Sequence, residues 1–272
     1  MNREEILKRL QELREKNVNV PTDNMIKTDE QIEGIRRAGA VNTKVLDEVS
    51  RQIRPFMSTL EIDEIVRIKT QEFGGISACL GYEGYPKYCC TSINDQVCHG
   101  IPSKRDVLMP GDIINVDCTT IVDGYFGDAS RMFVIGEATD QRKKLVERTK
   151  QMLDKAFESI VPWKTTLGDI GYLISKMASS YGYSVVHEVG GHGVGVEFHE
   201  DPYVAHYGKK GEGMLIVPGM VFTIEPMINK GKRHVFLDAS NDWTIYTNDG
   251  SDSAQWEYTI AIFEDHAEIL SR

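Results

Sequence analysis

Polar and apolar residues alternate along this chain in two distinct periods, and the change from one to the other outlines its elements. Residues 28–53 and 59–73 carry helical spacing, with Thr28/Gln31 and Ser58/Glu61 placed as capping boxes at their starts. A second pair of helices is expected near 139–160 and 166–181. The segments INVDCTTIV (114–122), FGDASRMFVI (126–135), MVFTIEPMI (220–228) and WEYTIAIF (256–263) are rich in β-branched and aromatic residues and read as strands. Ahead of all these, Ile6, Leu10 and Leu13 stand at helical spacing and Val18 and Val20 lead to Pro21, so residues 1–24 read as a short amphipathic helix and linker packed on the body.

The order of these elements repeats. Ile53-Arg54-Pro55-Phe56-Met57-Ser58-Thr59-Leu60 shares the pattern I-x-P-[FW]-x-[ST]-T-L with Ile160–Leu167, 107 residues later. Pro110-Gly111 leads to Asp117 as Pro218-Gly219 leads to Glu225, 108 residues later, and His99-Gly100-Ile101 echoes His192-Gly193-Val194. Each half therefore reads as a long helix, a proline break, a second helix, and strands bearing histidine and carboxylates. The expected division is an extension over 1–24 and a body over 25–272, with halves at about 25–138 and 139–272.

Composition narrows the class of protein. With 41% hydrophobic residues in 272, the chain can bury a sizeable core. No run of 18 apolar residues occurs and the first 16 residues are charged throughout, so neither a membrane span nor a secretory leader is expected, and a cytosolic location is. Five cysteines, an odd number, read as reduced thiols. A formal charge of −10 without a block of basic residues argues against wholesale nucleic-acid binding.

Four carboxylates stand in apolar strand segments, where an unpaired charge is unfavourable by several kcal/mol. They are Asp117, Asp128, Glu225 and Glu257, and Arg131 is the one basic residue close to them in sequence. Divalent cations are the natural partners for such a group. His192, flanked by glycines in Gly190-Gly191-His192-Gly193-Val194-Gly195, adds a nitrogen donor carried on a loop. One nitrogen with four carboxylates suits two first-row ions sharing bridging carboxylates, and implies hydrolysis. His187, His206, His234 and His266 lack matched partners and read as surface or core residues; the spacing of His199 leaves its role open.

The segments SACLGYEGYPKYC (77–89), CHGIP (98–102), INVDCTTIVDGYFGDASRMF (114–133), GGHGVGVEFHEDP (190–202), PGMVFTIEPM (218–227) and SAQWEYTI (253–260) together resemble type I methionine aminopeptidases over roughly residues 25–272. The resemblance implies an α+β, pita-bread fold: two pseudo-symmetric halves with a curved antiparallel sheet covered by helices. It implies two divalent ions (Co²⁺, Mn²⁺, Fe²⁺ or Zn²⁺), with Asp117 chelating one, Asp128 and Glu257 bridging, and His192 and Glu225 completing the other. It further implies a metal-held water as nucleophile, Glu225 as proton carrier, His199 stabilising the oxyanion and His99 binding near the scissile amide. The positions matching the family's methionine pocket are Cys79, Tyr82, Tyr85, Cys90, Phe198 and Trp243, and a thioether packs well against aromatic edges.

The expected activity is removal of the initiator methionine from nascent chains whose second residue is small, by a monomeric enzyme. Residues 1–24 carry neither a Cys/His zinc pattern nor a PxxP motif, and their helical pattern and mixed charge leave transient ribosome contact as a hypothesis. Proline-specific aminopeptidases and creatinase-like hydrolases share the catalytic half but carry a large additional N-terminal domain. A catalytically silent peptide-binding module is the non-enzymatic alternative, disfavoured because all five ligand positions are filled.

Overall fold

In the computed structural model, residues 2–272 are described. Helix α1 (Arg3–Glu15) opens the chain, capped by Asn2, whose side chain accepts the Glu5 N–H. Helices α2 (Asp29–Gln52) and α3 (Thr59–Glu72) begin at Thr28 and Ser58, with both hydrogen bonds of each expected capping box formed. In the second half α4 (Asp140–Glu158) and α5 (Leu167–Ser180) are capped by Thr139 and Thr166. Among the described residues no helix is long and apolar enough to cross a membrane.

Strands β1 (Ile76–Ser77), β2 (Cys90–Ile93), β3 (Gln96–Cys98), β4 (Ile113–Val122) and β5 (Tyr125–Val134) belong to the first half. The second supplies β6 (Ser184–Val185), β7 (Gly191–Gly193), β8 (Glu200–Val204), β9 (Val221–Ile224), β10 (Met227–Asn229), β11 (Val235–Leu237), β12 (Ile245–Thr247), β13 (Ser253–Gln255), β14 (Tyr258–Ile262) and β15 (Ala267–Ser271). All pairings are antiparallel, and they divide into sheets of four, three, three and five strands. The run 220–228, expected as one strand, is two. It breaks at Glu225-Pro226, because proline has no N–H to continue the ladder, and β9 and β10 join different sheets.

The proline-centred landmarks adopt matching backbones. Phe56 and Trp163 are both left-handed, with φ of 68° and 66°. Their N–H groups donate to Leu108 and Ile216, and isolated bridges join Ser58 to Val107 and Thr166 to Leu215. The structural partner of Ser58 is thus Thr166, where the text alignment sets Thr59. One extra residue accommodates the difference, and Thr165 turns its hydroxyl inward to accept the Val161 N–H.

One apolar cluster lies between β4/β5 and helices α2 and α3, with Leu46, Ile62, Leu108 and Ile114 fully buried. A larger one fills the second half under α4 and α5, and it takes in Ile6 and Leu10 of α1. The extension is further held by Leu215 N–H donating to Asn19 O and by the Arg9 guanidinium over the Trp163 ring at 3.9 Å.

Candidate metal centre

The first two carboxylates come from one hairpin. Register sets Asp117 opposite Ser130 and Thr119 opposite Asp128, so the two-residue period of a strand brings all four onto one face. Thr119 Oγ1 donates to Asp128 Oδ1 at 2.8 Å. The other two stand at a corner. Ile224 pairs with Tyr258 in one sheet and Met227 with Gln255 in another, so Glu225 and Glu257 face each other where both chains change sheets. The Glu257 N–H donates to Ser130 O, which ties this corner to β5 of the other half.

His192 is in β7, an interior strand between β9 and β8, not in a loop as its flanking glycines suggest. Those glycines answer to close strand packing: a Cβ on Gly193 would lie 2.1 Å from Asp201 O. Its Nδ1 lies 2.9 Å from Gly193 O, and since a carbonyl only accepts, that nitrogen carries the hydrogen. Nε2 then presents a lone pair, 3.7 Å from both Asp128 Oδ2 and Glu225 Oε1. Donor atoms of Asp128, His192 and Glu257 all lie within 4.8 Å of one another, and Asp117 and Glu225 line the same cavity of about 410 Å³.

This cavity concentrates negative charge with no basic side chain to answer it. No lysine or arginine lines it, and Arg131 turns away to Asp47 and the Arg272 carbonyl. Among the described residues nothing donates a hydrogen bond to the Asp117 or Glu257 side chains. Burial pushes the Asp128 carboxyl up to about 7. Burial, followed by repulsion from the neighbouring carboxylates, holds Asp117, Glu225 and Glu257 well above their ordinary range. A divalent cation would supply the missing positive charge and the missing partners, so this donor set fits a metal site.

Supporting contacts hold the donors. Thr223 Oγ1 accepts the His192 N–H and donates to Glu225 Oε1, while Gln255 Nε2 donates to Glu225 Oε2. His206 does more than its core reading implied: buried at 1% exposure, its Nε2 accepts the backbone N–H of Glu225 at 3.0 Å. Thr119 could have been found two residues along the alternation from Asp117. Gln255 lies in the SAQWEYTI segment without being singled out there, and nothing in the sequence marks His206; both act across the fold.

The remaining expected residues line the same cavity. His199 is exposed, its Nδ1 2.9 Å from Tyr82 Oη and its ring against Phe198. Partial desolvation by the rings packed against it lowers its imidazole below the ordinary histidine value. Across the cavity His99, left-handed at φ 56°, meets the Trp243 ring edge-on, and burial brings it down to about 4. Tyr85 packs edge-on against Trp243 and donates its hydroxyl to the carbonyls of Cys89 and Gly100. Cys79 and Cys90 complete the wall, joined by Cys98 and Met227, which the sequence reading did not single out. Adjacent Cys89, just ahead of β2, points instead toward Asp63, and all five thiols are free.

The model of metallopeptidase family M24 matches residues 33–264. A methionine aminopeptidase A from Synechocystis sp. is 48% identical over 242 residues, covering 89% of this chain and 94% of that protein. The crystal structure of methionine aminopeptidase from Rickettsia prowazekii superposes with a TM-score of 0.88 at 39% identity, covering 91% of this chain and 99% of that one. Prolidase from Pyrococcus furiosus shares the pita-bread architecture alone, at 21% identity and TM-score 0.72, with 65% of its length covered. This chain therefore belongs to metallopeptidase family M24 and, within it, to the methionine aminopeptidases.

Proposed function

We propose that the protein hydrolyses the first peptide bond of chains beginning with methionine, using two divalent ions and favouring a small second residue. The observation that carries this reading is one cavity in which an unpaired carboxylate–imidazole cluster adjoins a wall of thiols and aromatic rings. Asp117, Asp128, His192, Glu225 and Glu257 would hold the ions. Divalent ions in such a site polarise a carbonyl and acidify water.

The chain's own groups do the rest. Glu225 is held at both oxygens, by Thr223 and Gln255, in a fixed orientation for accepting a proton and passing it to the departing amine. With the Tyr82 hydroxyl donating to Nδ1 of His199, its Nε2 carries the hydrogen and can donate it to the carbonyl oxygen as charge develops there. His99 orients the scissile amide from the opposite side. Cys79, Tyr82, Tyr85, Cys90, Phe198 and Trp243 receive the thioether, and a crowded site beside them disfavours bulky second residues.

Nascent polypeptides in the cytosol are the natural substrates, and the protein acts as a monomer. Co²⁺, Mn²⁺, Fe²⁺ and Zn²⁺ all suit the donors, and cellular availability selects among them. Purified protein supplied with Mn²⁺ or Co²⁺ should release free methionine from Met-Ala-Ser and much less from Met-Trp-Ser. Activity that survives EDTA, or an Asp128→Ala variant that keeps it, would show the reading to be wrong. Elemental analysis then gives metal identity and number. Ribosome contact through residues 1–24 predicts co-sedimentation that a deletion of those residues abolishes.

A further inference from the structure

We propose that Lys27, on the segment entering α2, is a positioning residue for the loop that carries Phe198 and His199. This rests on the reading that His199 serves turnover. Lys27 is buried, at 5% exposure, and its ammonium pairs with the Glu200 carboxylate through Oε2. The other oxygen of Glu200 accepts the N–H groups of Val196 and Glu197, at 2.8 and 2.9 Å. A single carboxylate therefore closes the turn from 196 to 200 on one side and is gripped by a lysine on the other. Phe198 and His199 stand on that turn, stacked on each other and facing Tyr82.

The lysine has a rigid base. Its N–H donates to Gly219 O at 2.8 Å, and Ile26 beside it is buried so tightly that a Cβ on Gly219 would lie 2.6 Å from its side chain. Arg3 of α1 donates to the carbonyls of Ile26 and Asp23, so the extension braces the segment from outside. The turn itself has few other ties: Gly195 N–H donates to Glu197 O, and Phe126 N–H to Gly195 O. A buried ion pair is in itself weak evidence for stability. Its place here points to orientation: without Lys27 the Glu200 carboxylate is free to leave the two amides, and the His199 ring loses its fixed approach to the cavity.

Two measurements test this. In metal-free protein, hydrogen exchange across residues 195–200 should speed up at least about tenfold in Lys27→Met and stay near wild type in Lys27→Arg, with exchange in α4 unchanged. In Mn²⁺-loaded protein acting on Met-Ala-Ser, Lys27→Met should lower kcat at least about tenfold at unchanged metal content, and Lys27→Arg should recover most of it. In a His199→Ala background, Lys27→Met should change kcat less than about twofold, since its effect passes through that ring. Equal losses in both backgrounds, or unchanged exchange in the turn, would overturn the proposal. If Lys27→Met does not fold, Glu200→Gln carries the same comparisons. Failure of the wild type to release methionine would instead strike the functional reading, and the exchange result would stand apart from it.

Discussion

Replacing Glu257 with glutamine should stabilise the metal-free protein while abolishing turnover. Glu257 is 2% exposed, receives no hydrogen bond among the described residues, and has an oxygen within 4.8 Å of one on Asp128. At that separation and an effective dielectric near 20, two carboxylates repel by about 3 kcal/mol. Wild-type protein relieves part of this by taking up protons: burial holds both groups above their ordinary values, and for Glu257 the neighbouring carboxylates add to it. A carboxyl whose folded pKa exceeds its unfolded one is without penalty where both states are protonated. The penalty grows from the unfolded value, about 4, up to the folded value, about 7 for Asp128, and is constant above it.

The gain from glutamine should therefore be small near about pH 4 and reach roughly 2 to 3 kcal/mol near about pH 8, raising Tm by about 4 to 12 °C. Metal reverses the order. A hundredfold excess over Kd stabilises the wild type by about 2.7 kcal/mol, and the variant, short of one carboxylate donor, gains less. Thermal melts by circular dichroism at the two pH values, in EDTA and in excess Mn²⁺, read all four conditions. If Glu257→Gln melted below wild type in EDTA near about pH 8, or if Mn²⁺ raised both proteins equally, the argument that uncompensated charge dominates this site would fail.

Three further substitutions separate the roles of the surrounding groups. His199→Ala should lower kcat by roughly 10² to 10³, the size typical of removing one transition-state donor, and elemental analysis should find its metal content unaltered, because its ring nitrogen binds Tyr82 outside the cluster. His206→Ala leaves the buried Glu225 N–H without an acceptor; urea titration should show a loss of about 1 to 3 kcal/mol, with kcat falling more than KM rises. Leu10→Ala, at a fully buried position of α1, should destabilise by about 2 to 5 kcal/mol, and a Tm equal to wild type would mean that the extension is not part of the folded unit.

Local signals were legible wherever the cause was local. The capping boxes at Thr28 and Ser58 mark helix starts because donor and acceptor lie within one turn. Asp117 and Asp128 stood out because a charge inside an alternating apolar strand needs a partner, and the hairpin that joins them is continuous. Glu225 and Glu257 were recognised as buried acids, but the corner that brings them together was not. Pro226 held that information, since its missing N–H ends β9 at the point where the chain changes sheets. His206 and Lys27 left no trace in the text, because their partners lie 19 and 173 residues away.

The repeat supplies positions, and the local backbone then decides what each position does. Strands β4 and β9 begin 108 residues apart, which makes Asp117 and Glu225 equivalent positions of the repeat. Yet Asp117 projects from mid-strand with no donor, whereas Glu225 follows the end of its strand and is held at both oxygens and at its N–H. The two histidines diverge in the same way. His192 sits in a strand, and its Nδ1 is spent on Gly193 O, so the other nitrogen faces the carboxylates as a lone pair. His99 follows a strand in a left-handed conformation that turns its ring toward Trp243 and His199. A donor offered to a cation must have its other nitrogen committed and its ring inside the acidic cluster. Only His192 meets both conditions, which is the physical reason for proposing that one member of the pair joins the ligand set and the other meets the substrate.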